Sequence, residues 1–207
     1  RYYLMREMVL GQDANFTMES FIKRYNSDLA NDFGNLLSRV TNLLQKFCSS
    51  KIPSEEDASN EGQVIKKNSL KIIDTVEKLI KGMKINDAIE VTLQYIRSIN
   101  KYMEDMAPWK LAKTDMSAAE RVLYTAAESL RISALLLAPI MPNRTMIVLE
   151  TFGAEKTSLE WGHLKPGTKI KSHKPLFPRI DINKLNNDLN KSDSTKSNLI
   201  NVISFDD

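Results

Sequence analysis

The sequence predicts an all-α protein, a bundle of four to five helices closed by an extended C-terminal strap. Apolar residues recur at steps of three and four over long stretches, while strict alternation is hard to find. Glycine and proline, 7 of each in 207 residues, punctuate the chain sparsely, and aromatic residues make up only 7%.

Residues 1–15 read as a connector, and 18–25 as a short helix leading into the clearest element. That element opens at Asn26-Ser27-Asp28, a cluster of good N-cap residues. It runs to Cys48, roughly 30 Å at about 1.5 Å per residue. Its apolar face holds Leu29, Phe33, Leu36, Leu37, Val40, Leu43, Leu44 and Phe47; its polar face holds Asp28, Asn31, Asp32, Asn35, Ser38, Arg39 and Asn42. Residues 49–62 form a polar loop. A second helix over 64–81 turns Ile65, Leu70, Ile73, Val76, Leu79 and Ile80 inward and stops at Gly82. A third over 86–106 carries Ala88, Val91, Tyr95, Ile99 and Tyr102 on one stripe and ends at Ala107-Pro108-Trp109, since proline disfavours a helical residue before it. The fourth, 117–137, is apolar all round in its last turns and belongs at the centre. Pro139 and Pro142 break it, and 143–152 forms a short amphipathic helix. The bundle domain is thus 16–153. Residues 154–182 read as a strap pinned by a few apolar anchors, and 183–207, rich in Asn, Ser and Lys, as a flexible linker.

Composition excludes several classes. No stretch approaches the roughly 20 apolar residues of a membrane span. The single cysteine, Cys48, rules out a disulfide framework and a Cys-rich zinc site, and makes a reducing, cytoplasmic setting the default. An N-terminus at Arg1 with no signal pattern reads as a piece of a longer protein. His163 and His173 lie ten residues apart with no carboxylate or cysteine at ligand spacing, so no metal site is predicted. Cys48 ends an apolar stripe and reads as a small hydrophobe. Phosphate-loop, serine-elbow and His-Glu-x-x-His patterns are absent, and the chain does not read as catalytic. Charge is informative too. The chain carries 29 basic and 26 acidic residues, and residues 165–207 hold 8 and 5 of them, which leaves 21 of each sign elsewhere. A protein gripping nucleic acid mainly by charge has a basic folded part. This chain would meet nucleic acid through a few placed contacts.

Two constellations point to such contacts. Asn35 and Arg39 lie one turn apart on the polar face of the long helix, an array of oriented donors suited to the edge of an unpaired base. They also read as a solvated surface pair. Trp109, fixed behind Pro108, is a rigid plate on which a splayed base stacks, or else a plug for the end of the core.

With their surroundings, these residues resemble the C-terminal part of the methionyl-tRNA synthetases. Arg1-Tyr2-Tyr3-Leu4-Met5-Arg6-Glu7 is similar to the segment after the family's catalytic fold. Gly11-Gln12-Asp13 and the run from Tyr25 to Asp32 continue the likeness. Asn35-Leu36-Leu37-Ser38-Arg39 resembles the anticodon-reading helix, and Ala107-Pro108-Trp109-Lys110-Leu111-Ala112-Lys113 the anticodon-reading loop. Leu164-Lys165-Pro166-Gly167 and Pro175-Leu176-Phe177-Pro178-Arg179-Ile180 are similar to family segments as well. The resemblance implies that Trp109 contacts the first anticodon base, a cytosine, that Pro108 shapes the loop, and that Asn35 and Arg39 contact anticodon bases. The implied target is the CAU anticodon of initiator and elongator methionine tRNAs.

The resemblance further implies a parent that joins methionine to its tRNA with ATP and magnesium. Its catalytic domain lies earlier in the same chain, and its His-x-Gly-His-like and Lys-Met-Ser-Lys-Ser-like motifs are absent here. This fragment is expected to hold no cofactor and to be inactive alone. Val202-Ile203-Ser204-Phe205-Asp206-Asp207 resembles the entry to a C-terminal OB-fold that makes some members homodimers; a native end or an arbitrary boundary fits as well. Two other readings stay open. A structural bundle would brace the catalytic domain and bury Trp109, and the anticodon domain of another class I synthetase would share the architecture.

Overall fold

In the computed structural model the described residues are 1–9, 11–13, 15–54, 59–154 and 158–181. The linker expected over 183–207, the segment resembling an OB-fold entry, and parts of the 49–62 loop and of the strap lie outside them. The described residues are helical as the sequence predicts, with one isolated β-bridge and no strand among them. The elements are α1 (Tyr2–Glu7), α2 (Met18–Arg24), a π-helical segment (Tyr25–Gly34), α3 (Asn35–Phe47), α4 (Asn60–Lys81), α5 (Ile85–Met106), α6 (Pro108–Leu111), α7 (Met116–Leu137) and α8 (Pro142–Phe152).

α7 is the axis of the bundle, as its all-round apolar character predicts. Fifteen of its 22 residues are buried, and α3, α4, α5, α6 and α8 all pack on it. Asp115 starts it as N-cap, its Oδ1 accepting the Ala118 amide at 2.9 Å. The core continues through Phe33, Leu36, Leu37, Val40 and Leu44 from the long helix and Leu93, Ile96 and Ile99 from α5.

Five expectations change. The residues Asn26-Ser27-Asp28 start no helix. α2, the π segment and α3 form one continuous rod, and the polar side chains at the supposed start serve tertiary contacts instead. Asp28, expected on the solvent face, is 1% exposed and accepts hydrogen bonds from the Tyr2 hydroxyl at 2.8 Å and the Arg97 guanidinium at 3.2 Å. Burial, with the Asp28 carboxylate beside it, holds the Tyr2 phenol far above its ordinary value. α4 begins at Asn60, a turn earlier than predicted, because the Ser59 side chain accepts the Gly62 amide and caps it. Its inward face is Ile65, Ser69, Ile72 and Val76, while Leu70 and Ile80 stand exposed. A small serine, bonded to the Lys66 carbonyl at 2.7 Å, takes a core position that a hydrophobic count gives to its neighbour Leu70. Finally, Pro108 and Trp109 are not loop residues but open the short helix α6.

The C-terminal residues 158–181 return along the bundle as irregular chain. Glu128 and Arg131 of α7, both fully buried, anchor them. Glu128 accepts the backbone amides of Gly162, His163 and Leu164 at 2.9, 3.1 and 3.2 Å. Arg131 bonds Glu128 at 2.6 Å and donates to the Ser158 and Glu160 carbonyls. Backbone groups of the strap's entry thus complete the hydrogen bonding of both charges, which offsets the cost of burying the pair. Further on, Asn26 exchanges two hydrogen bonds with the Ile180 backbone, at 2.8 and 2.9 Å.

Candidate nucleic-acid interface

Asn35 owes its position to the π segment before it. Its backbone amide bonds the Ala30 carbonyl five residues back, so the wide turns end here and the regular α3 helix begins. π turns are rare and need outside support. That support is visible: Asn26 is tied to the strap, Asp28 to Tyr2 and Arg97, and the Asp32 carbonyl accepts from the Asn100 side chain at 3.0 Å. Gly34 closes the segment with Phe177 against it, a ring carbon lying 3.7 Å from where a Cβ would stand.

Arg39 follows Asn35 by one turn. Asn35 is exposed and Arg39 half-buried. The Arg39 guanidinium lies 5.7 Å from the centroid of the Trp109 ring, within cation–π range. Trp109 is half-buried, neither the open plate nor the core plug that the sequence offered as alternatives. Behind it Pro108 is buried at the first position of α6, where its missing N–H costs nothing. Ala107 makes the sharp reversal from α5 into α6 with φ of +43°, a left-handed conformation that costs a non-glycine residue about 1–2 kcal/mol. The Ala107 carbonyl accepts the Lys110 amide at 2.7 Å, locking the turn that presents Trp109.

Between the rod and α5 lies an open groove of about 480 Å³. Asn31, Asp32, Asn35 and Arg39 line one wall, and Arg97, Asn100, Lys101 and Glu104 the other. The structure therefore brings Asn35 and Arg39 into this groove and sets Trp109, with Pro108 before it, beside Arg39. The α5 wall was not singled out. Its signal was available, since Arg97, Asn100, Lys101 and Glu104 fall at i, i+3, i+4 and i+7 on one helix face, but nothing local shows that this stripe faces α3.

Arg97 fixes the floor of the groove. It donates to Asp32 at 2.7 Å, to Asp28 at 3.2 Å and to Glu90 at 3.2 Å. Burial pushes the Asp32 carboxyl above its ordinary value, against the pull of Arg97. Among the described residues Arg39 has no such carboxylate partner. Its donors are free for an incoming acceptor, while the amides of Asn31 and Asn35 supply both donors and acceptors.

No group of three His, Cys, Asp or Glu residues able to hold a metal occurs among the described residues. His173 bonds Thr41 at 3.2 Å and the Lys174 carbonyl at 2.8 Å; His163 lies between Ser158 and Glu160. Cys48 is half-buried, and burial with Glu120 nearby pushes its thiol up to about 11, the opposite of an activated nucleophile.

A family model described as the anticodon binding domain of methionyl tRNA ligase matches residues 52–194, and one for class I (M) tRNA synthetases matches residues 1–41. The chain belongs to the methionyl-tRNA synthetase family. A methionine–tRNA ligase of Thermotoga maritima is 34% identical over 213 residues, covering 100% of this chain and 33% of that protein. The Bacillus subtilis ligase is 38% identical over 191 residues, covering 87% and 29%. The free-state structure of Mycobacterium tuberculosis methionyl-tRNA synthetase superposes with a TM-score of 0.81 at 28% identity, over 87% of this chain and 38% of that one. The chain thus spans about one third of the length of the methionyl-tRNA synthetases it matches. No described helix is long and apolar enough to cross a membrane.

Proposed function

We propose that this chain selects methionine tRNA for a methionine–tRNA ligase by reading the CAU anticodon with Asn35, Arg39, Pro108 and Trp109. The parent reaction joins ATP, L-methionine and tRNA into methionyl-tRNA, AMP and diphosphate, with magnesium accompanying ATP in the catalytic domain. Initiator and elongator tRNAs share the anticodon and are both bound. The setting is cytoplasmic, and the parent assembles as a homodimer if a C-terminal module follows.

The observation that carries this reading is the cation–π contact of Arg39, a lining residue of the polar groove, with Trp109. Anticodon bases are single-stranded, so their faces can stack and their edges can be read. A cation–π contact at such a site is worth about 0.5–1 kcal/mol, whereas a base stacked on an aromatic ring is worth about 1–3 kcal/mol. An incoming base therefore displaces the guanidinium at a net gain. The freed Arg39 then reaches a base edge, and an oriented contact of that kind discriminates by about 1–3 kcal/mol. Two or three such contacts give large selectivity without a basic surface, since about 1.4 kcal/mol is tenfold.

The test is fluorescence anisotropy of a labelled CAU stem-loop titrated with the chain, beside a loop whose first anticodon base is changed from C to G. Tighter binding of the CAU loop is expected. Equal binding of the two loops would reduce the groove to a backbone contact and favour the bracing role.

A further inference from the structure

The turn after α3 meets the strap in one antiparallel bridge, Lys51 opposite Lys169. The Ile52 amide bonds the Thr168 carbonyl at 2.9 Å, and the Ile170 amide bonds the Ser50 carbonyl at 2.8 Å. These bonds flank the lysine pair and make it the non-hydrogen-bonded kind, with Cα atoms about 4.5 Å apart and side chains close. Ile52 and Ile170 are 1% and 5% exposed and point into the core. Alternation along the extended chain then sends Lys51, Lys169 and Lys171 outward on one face, and all three are exposed.

Like charges directly opposite each other destabilise a β pair. None of the three lysines pairs with a carboxylate among the described residues. Residues 158–181 hold five basic residues against two acidic, as large an excess as the +3 of the whole chain. The surplus charge is therefore concentrated on this strap.

The position of the trio relative to the groove is also informative. Asn35, Arg39, Asn42 and Lys46 recur at steps of four, three and four and share one stripe of α3, which runs from the groove to the turn bearing Lys51. Lys46 is exposed on that stripe, about 10 Å along the helix from Arg39. The bond between His173 and Thr41 holds the strap against the buried side of the same helix, roughly opposite the Arg39 stripe.

We propose that Lys51, Lys169 and Lys171 form a binding site for backbone phosphates of the RNA whose loop bases occupy the groove. The site rests on the reading of RNA as the partner. It supplies affinity without sequence information, while Arg39 and Trp109 supply the selection.

The test titrates the CAU and G-substituted stem-loops with the chain and with the triple variant Lys51→Ala/Lys169→Ala/Lys171→Ala, from 50 to 200 mM salt. A control triple, Lys67→Ala/Lys71→Ala/Lys78→Ala, removes the same charge from the exposed face of α4. The strap triple is expected to weaken both loops on the order of tenfold at low salt. Its log–log salt slope falls by about 2–3, at about 0.7–0.9 for each phosphate that is no longer neutralised. The preference for the CAU loop stays unchanged. An unaltered slope, an equal loss in the α4 control, or a changed loop preference would each overturn the site. Wild-type chain that binds both loops equally, yet loses slope in the strap triple, would sink the base-reading proposal and leave the phosphate site standing.

Discussion

Arg39 and Trp109, on different helices, form a cation–π pair, with the guanidinium carbon 5.7 Å from the ring centroid. Arg39 stands on a regular helix, and Trp109 on a four-residue helix entered through a left-handed alanine. Neither element alone would hold the plate in place. Their juxtaposition leaves the Trp109 ring half-buried beside the Arg39 guanidinium.

Replacing Trp109 by alanine should weaken binding of the CAU stem-loop by about 5- to 150-fold, the equivalent of about 1–3 kcal/mol of stacking. The melting temperature should fall by no more than about 4 °C, because the ring is only half-buried. Anisotropy and a thermal melt measure the two effects. Loss of the folded state on this change would favour a bracing role for the ring.

Arg39→Ala should lower the preference for CAU over other anticodons by about tenfold. Arg39→Lys should not restore it, since an ammonium cannot reproduce a planar fork of donors. Titration of a panel of loops with each variant checks this. If every loop weakened equally, Arg39 would be a phosphate contact only.

Arg131→Met removes the partner of a carboxylate buried in α7, and breaking a pair of this kind costs about 3–5 kcal/mol. The strap loses its Ser158 and Glu160 anchors in the same step. Urea denaturation should show the lower midpoint, and trypsin should cut the strap faster than in the wild type, after Lys169 or Lys171. Cleavage no faster than in the wild type would show that Glu128 and its three amide donors suffice to hold the strap.

The Cys48 thiol, pushed from 9.0 to about 11, should react slowly with disulfide reagents. Two decades fewer thiolate at pH 8, partly offset by the greater nucleophilicity of a more basic thiolate, corresponds to about a tenfold slower reaction than an unshifted thiol. The rate should still climb past pH 10, and a plateau near pH 9 would contradict the shift. The sign for stability follows. The native state holds this proton more tightly than the unfolded chain. The contribution is therefore complete below about pH 9 and is lost as pH rises through about 11.

Helix content, the order of the long helices and the central place of α7 were legible in the chain, because periodic burial is a local property of sequence. The one-turn spacing of Asn35 and Arg39 and the proline before Trp109 were legible as well, because both are local patterns. Two features were not legible. Nothing near Asn26 or Asp28 announces that their partners are Ile180, Tyr2 and Arg97, so a cluster that reads as a helix cap became the pinned interior of a π-helical rod. Nothing near Glu128 or Arg131 announces that the strap supplies their hydrogen bonds, and an isolated charge pair in an apolar helix reads as a defect.

The sequence by itself therefore determined the fold class and the family resemblance. The tertiary structure alone decided that α5 forms the second wall of the groove, that Arg39 lies beside Trp109, and that Lys51 of the turn after α3 joins Lys169 and Lys171 of the strap. The physical reason is range. Periodicity and turn chemistry act over a few residues, whereas a groove, a cation–π pair and a bridge exist only once distant segments have packed.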